Sequence, residues 1–122
     1  MLHITCPFCG PRDESEFACG GEAHIVRPAD PAALTDAQWA DYLFMRKNVK
    51  GVHFERWMHS HGCRRWFNAA RDTVTHQFLA FYKMGEQAPD IAPVSYTARP
   101  APRTDPALPA DPALHTDREG AR

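Results

Sequence analysis

Two short stretches of this chain carry metal-ligand chemistry: Cys6-Pro7-Phe8-Cys9-Gly10 near the start and His59-Ser60-His61-Gly62-Cys63 in the middle. A C-x-x-C turn presents two thiolates to one tetrahedral ion, and H-x-x-x-C supplies two further ligands from a second turn. Cys6, Cys9, His59 and Cys63 therefore read as a closed zinc site of three cysteines and one histidine. With every vertex filled by a protein atom, no position is left for water or substrate. The expected role of the ion is structural, holding two distant chain segments together.

Other readings of the same residues are weaker for physical reasons. A redox C-x-x-C expects a helix after the motif, and Gly10-Pro11-Arg12 gives none. His61 lies only two residues from Cys63, which suits one tetrahedral ion poorly, so His59 is favoured over it. Cys19 has no paired ligand in its own turn and is followed by Gly20-Gly21. It reads as a small core residue, with an all-cysteine site that excludes His59 as the alternative.

The elements that must position these turns are short. Leu2 to Thr5 is a β-prone run ending in the first ligand turn, and Glu16 to Ala18 and His24 to Arg27 are further strand candidates. Arg27-Pro28 and Asp30-Pro31 impose an extended connection. Thr35-Asp36-Ala37-Gln38 has the form of a capping box, and Trp39, Tyr42, Leu43 and Arg46 follow at helical spacing, which predicts one amphipathic helix over 36–46. Val52 to Met58, Arg64 to Ala70 and Thr73 to Tyr82 read as strands, with His59 to Gly62 as the turn between the first two. A hairpin tip carrying ligands and facing a C-x-x-C turn is zinc-ribbon-like. The fold class expected is α+β, a small antiparallel sheet with one main helix.

Composition sets the frame for these elements. The chain has 122 residues, 11 of them proline, enough for one small domain whose limited core would gain from a metal crosslink. After Glu86 prolines alternate with alanines and Tyr96 is the only aromatic, so the expected division is a body over 1–86 and an extended or disordered proline-rich tail over 87–122. A partner's groove could order such a tail. There is no basic start followed by an apolar run and no stretch of about eighteen apolar residues, which points to a cytoplasmic protein with no membrane contact. In a reducing compartment the four cysteines are better explained as ligands and thiols than as disulfides.

The formal net charge of −1 implies no general affinity for polyanions. Locally, Arg46, Lys47, Lys50, Arg56, Arg64, Arg65 and Arg71 face only Glu55, an excess that wants an anionic neighbour. With Trp39, Trp57, Trp66, Phe67, Phe78 and Phe81 nearby, a zinc-ribbon nucleic-acid binder is one reading. In so small a body most of these rings are needed for a core, so the bland reading is preferred and no nucleic-acid partner is expected. No phosphate loop, dinucleotide fingerprint or nucleophile elbow occurs, and Glu55 and Asp72 read as lone carboxylates. No residue of this chain is expected to be catalytic.

The strings Ile4-Thr5-Cys6-Pro7-Phe8-Cys9-Gly10, Glu16-Phe17, Gly20-Gly21-Glu22-Ala23 and Arg27-Pro28 resemble the δ subunit family of heterotetrameric sarcosine oxidase. So do Tyr42-Leu43-Phe44-Met45-Arg46, Glu55-Arg56-Trp57-Met58-His59, Gly62-Cys63-Arg64-Arg65-Trp66-Phe67-Asn68 and Arg71-Asp72-Thr73. The likeness runs from about residue 2 to residue 84. It implies a small Zn2+-bearing subunit of a complex that oxidatively demethylates sarcosine to glycine, releases hydrogen peroxide and passes the one-carbon unit to tetrahydrofolate. It also implies α, β and γ subunits as partners, with FAD, FMN, NAD and the folate site lying in the larger α and β subunits. Matching motif to motif carries over Cys6, Cys9, His59 and Cys63 as the zinc ligands. Cys19 departs from the pattern by standing where an aromatic is expected, and nothing carries over to the tail beyond Glu86. Complexes acting on other N-methyl amino acids have a similar small subunit, so the amine substrate is set by the partners.

Overall fold

The computed structural model describes residues 2–96. Its strands are β1 (His3–Cys6), β2 (Gly10–Asp13), β3 (Ala18–Glu22), β4 (Val52–Met58), β5 (Trp66–Asp72) and β6 (Phe78–Lys83), and its helix is α1 (Asp36–Phe44). Short 3-10 turns occupy Glu14–Glu16 and Pro31–Ala33. β1 and β2 form an antiparallel hairpin, and β3-β4-β5-β6 form a four-stranded antiparallel sheet in that order. The class is α+β, as the sequence patterns imply. Among the described residues no helix is long and apolar enough to cross a membrane.

The four-stranded sheet has two faces because successive side chains point to opposite sides. Phe67 and Ala69 project to one face, where Ile4 of β1 packs on them; all three are fully buried. Phe17, Trp57, Phe78 and Phe81 complete this core, with Phe17 meeting Phe67 edge-on and Phe78 stacked on Phe81. Ile4 is the residue through which the small hairpin is buried against the large sheet, and its neighbour two positions on is the candidate ligand Cys6. Core packing and the candidate site thus share one strand.

Local chemistry explains where the elements start and stop. Thr35 Oγ1 accepts from Gln38 N–H and Gln38 Oε1 accepts from Thr35 N–H, so the capping box that opens α1 is complete. The helix ends at Phe44, two residues short of the 36–46 expected, and Arg46 Nη1 donates to the free carbonyls of Tyr42 and Met45 at 2.9 and 2.7 Å. β4 occupies the span its alternating pattern marks out. β5 begins two residues later than Arg64, because Arg64 sits at φ 58° and still belongs to the turn.

Three expectations are corrected. His24 to Arg27 is not a strand: His24 has φ 63°, and its ring leaves the sheet direction to pair with the Tyr82 hydroxyl at 2.6 Å. Glu16 belongs to a 3-10 turn, so the strand near it starts at Ala18. Thr73 to Gln77 is a turn before β6, built by Asp72, which accepts from Val74 N–H at 2.9 Å and Thr75 Oγ1 at 3.0 Å. β2, with the sequence GPRD, was not anticipated; pairing with β1 imposes it, and Pro11 is tolerated there on a hairpin edge.

The carboxylates read as isolated have partners. Glu55 is 3 % exposed and is held by Arg71 across the β4–β5 ladder and by the Trp57 indole N–H at 3.0 Å. Asp72 also accepts from the Tyr96 hydroxyl at 2.7 Å, a contact that pushes the tyrosine up to about 12. Tyr96 falls within the segment expected as tail; residues 97–122 of that segment lie outside the described residues.

Candidate metal centre

The two ligand turns are the tips of two hairpins. Pro7 to Cys9 turns β1 into β2, and Gly10 closes that turn at φ 85°, a left-handed conformation for which glycine has no steric penalty. Residues 59–65 turn β4 into β5. There His59 C=O accepts from Gly62 N–H and Arg64 N–H at 3.2 and 2.9 Å, and His59 N–H donates to Arg65 C=O at 3.2 Å. Gly62 is required for a different reason from Gly10: a Cβ at this position would fall inside the His59 imidazole.

Cys6, Cys9, His59 and Cys63 converge, with one ligand atom from each lying within 4.8 Å of all the others. Cys6 Sγ and Cys63 Sγ are 3.7 Å apart, and Cys63 Sγ is 3.7 Å from His59 Nδ1. Metal–sulfur and metal–nitrogen bonds of about 2.3 and 2.0 Å give tetrahedral edges of about 3.8 and 3.6 Å. The spacing therefore fits an ion of zinc's size, and the soft donor set suits zinc. His61 is outside this group, and so is Cys19, which is exposed instead of filling the core place expected of it.

The orientation of His59 is fixed from its far side. Its Nε2 lies 2.8 Å from Glu16 Oε2, and a carboxylate only accepts, so Nε2 carries the hydrogen and Nδ1 keeps its lone pair for the ion. Phe17 stacks on the same ring, centroids 4.4 Å apart and planes 17° from parallel. The Glu16 carbonyl accepts from His61 N–H and Ser60 Oγ, both at 3.0 Å, so the 14–16 turn clamps the second knuckle by main chain and side chain together.

Thiol acidity is uneven across the cluster. Burial pushes the Cys63 thiol up, but the Arg65 N–H, His59 and the neighbouring thiols outweigh it and bring the group down to about 7. Cys9 is raised by its hydrogen bond with Cys63, with burial and Cys6 adding to the effect. One sulfur is thus poised as a thiolate near neutral pH, the form a metal takes.

Residues 3–84 match the family described as "Sarcosine oxidase, delta subunit family". The chain belongs to that family. The sarcosine oxidase subunit delta of Corynebacterium sp. (strain U-96) is 57 % identical over 91 residues, covering 75 % of this chain and 92 % of the relative. That of Corynebacterium sp. (strain P-1) is 56 % identical over 91 residues, covering 75 % and 93 %. The subunit delta of Rhizobium meliloti (strain 1021) is 46 % identical over 77 residues, covering 63 % of this chain and 80 % of the relative.

The matched span of this delta-family chain contains both knuckles and every strand of both sheets. The residue that spacing did not reveal in it is Glu16, which orients His59 from 43 positions away. The usable signal was chemical: a ligating histidine ordinarily donates its second N–H to a carboxylate or carbonyl, and Asp13, Glu14 and Glu16 are the acids nearest the first knuckle that could provide one. Glu16→Ala is expected to weaken zinc binding about 10- to 100-fold while leaving the four ligands in place, as competition with a chromophoric chelator would measure. Zinc affinity unchanged in that variant would mean that the Glu16 contact does not orient the ring.

Proposed function

We propose that this chain is a non-catalytic zinc-binding subunit of a heterotetrameric sarcosine oxidase. The complex would oxidise the N-methyl group of sarcosine, giving glycine and hydrogen peroxide and passing the one-carbon unit to tetrahydrofolate. Zn2+ would sit on Cys6, Cys9, Cys63 and His59 Nδ1 in a zinc-ribbon-like arrangement, while the larger α and β subunits would hold FAD, FMN, NAD and the folate site and a γ subunit would complete the tetramer. A closely related reading makes the substrate another N-methyl amino acid, since the partners set that choice.

The observation that carries this reading is the convergence of three thiols and one imidazole nitrogen from two hairpin tips within 4.8 Å. Four protein donors saturate a tetrahedral ion, so the metal ties β1–β2 to β4–β5 and offers no open vertex for a substrate. Family membership and relatives named as subunits support the assembly role.

Co-expression with α, β and γ subunits of a sarcosine oxidase tests it. The expected result is a complex that oxidises sarcosine and contains about one zinc per copy of this chain, with no oxidase activity in the isolated chain. Failure to copurify when all four chains are present, or oxidase turnover by this chain alone, would overturn the proposal.

A further inference from the structure

The face of the large sheet opposite the Ile4–Phe67 core carries a cross-strand row that the metal centre does not use. Arg56, Asn68 and Tyr82 are register partners on β4, β5 and β6. Asn68 lies between Phe67 and Ala69, so it must point away from their core. His24 stacks on the Tyr82 ring, planes 11° apart, at one end of the row. Together with the end of α1 this face lines a cleft of about 530 Å³ whose walls include Arg46, Arg56 and Asn68.

Two features of this cleft call for a ligand. Asn68 is 3 % exposed, yet its Oδ1 is buried without a hydrogen-bond partner. An orphaned buried acceptor of this kind forfeits its hydration without compensation, so native proteins rarely keep one. Neither guanidinium has a carboxylate partner among the described residues: Arg46 donates to two carbonyls, and Arg56 reaches Gly20 O at 3.4 Å and lies over the Trp66 ring. The cleft's own acids are engaged elsewhere, Glu22 with Lys47 N–H at 3.0 Å and Glu86 with Lys83 N–H at 2.8 Å.

The rim is apolar and uncovered. α1 buries none of its nine residues, and Phe44, Met45 and Val26 are 73, 64 and 82 % exposed. A nine-residue helix is too short to hold in water by its own propensity, so packing against something else is required to stabilise it.

We propose that this cleft seats an extended acidic segment of a partner subunit, with a carboxylate between Arg46 and Arg56 and a main-chain N–H donating to Asn68 Oδ1. A peptide carries both groups within one or two residues and has flanking side chains to cover Val26, Phe44 and Met45. A free small anion would satisfy the arginines alone. Charge-assisted pairing of desolvated arginines at an interface centre fixes register and excludes wrong partners. The inference rests on the reading of this chain as a subunit.

The test is co-expression of the full set of subunits with this chain either wild-type or carrying Arg46→Glu and Arg56→Glu together. The double reversal is expected to retain full zinc content and its thermal transition while assembled complex falls tenfold or more; Asn68→Leu should give a smaller loss. Hydrogen exchange on the wild-type complex should find 20–26 and 42–46 protected relative to the isolated chain. Wild-type assembly by the double reversal, or protection that leaves both segments unchanged, would overturn the proposal. So would a dimer of the isolated chain that dissociates on Arg46→Glu, which would assign the cleft to a second copy. If the wild-type chain fails to copurify, the subunit reading falls and this inference with it, whereas failure of the variants alone to lose assembly removes only the cleft.

Discussion

A chain with Cys6 replaced by serine is expected to lose its ion and its cooperative unfolding transition together. Structural zinc in small domains contributes on the order of 10–16 kcal/mol of binding free energy, as much as the whole stability of a typical domain. Among the described residues the buried core cluster is Ile4, Phe67 and Ala69, so little packing is available to compensate. Cys6 is 1 % exposed and sits two residues after Ile4 on β1, so losing its bond to a zinc ion held there would also loosen the strand that caps the core. Circular dichroism melts and zinc content by mass spectrometry would follow the two losses, with Cys19→Ser as the control expected to retain both. A Cys6→Ser chain with wild-type melting and full zinc would show that the ion does not hold the fold.

Arg71→Ala is expected to cost about 3–5 kcal/mol, the usual consequence of stranding a buried charge. Arg71 grips Glu55 with two nitrogens, Nε at 2.9 Å and a closely placed Nη2 at 2.6 Å, while Trp57 Nε1 and His53 Nδ1 approach the same carboxylate at 3.0 and 3.3 Å. Replacing both partners with leucine should recover most of the loss, since a buried pair removed whole is often nearly neutral. Burial pushes the Glu55 carboxyl up, but the Arg71 hydrogen bonds, with Trp57 and His53 adding, hold it below the ordinary glutamate range. A depressed carboxylate lends stability in full above its unfolded value of about 4.3 and loses it as pH falls through the folded value. Denaturant titrations at pH 7 and at pH 3 should therefore find that the double-leucine chain loses less stability on acidification than wild-type. In Arg71→Ala the sign reverses, because the unpaired carboxyl prefers its proton, and the deficit against wild-type should shrink in acid. Equal deficits at both pH values would rule out the pair as the source.

What the sequence made legible was what is encoded locally. The C-x-x-C and H-x-x-x-C spacings each fit within one turn, the capping box spans four residues, and β4 alternates along its own length. What it hid depends on residues far apart in the chain. β2 has no strand character in GPRD and exists because β1 lies beside it. Glu16 meets His59 across 43 positions and Arg71 meets Glu55 across 16, distances over which no periodicity carries information. His24 to Arg27 has the β-branched composition of a strand, but a ring–hydroxyl bond to Tyr82 is available only in the folded chain and draws the segment elsewhere. The amphipathic spacing of α1 was legible, whereas the fact that none of its residues is fully buried was not, because a pattern marks a face without naming what covers it.

Cys19 stands on β3 with its sulfur at the surface, while Cys6 is buried and Cys9 and Cys63 are half-buried beside it in the cluster. With an ion in place, a thiol-seeking dye would find one address on the native protein and four after chelation. The label would sit beside Trp57, the register partner of Cys19, on the sheet face opposite the Arg56–Asn68 cleft, so its emission could report on that face without any engineered handle.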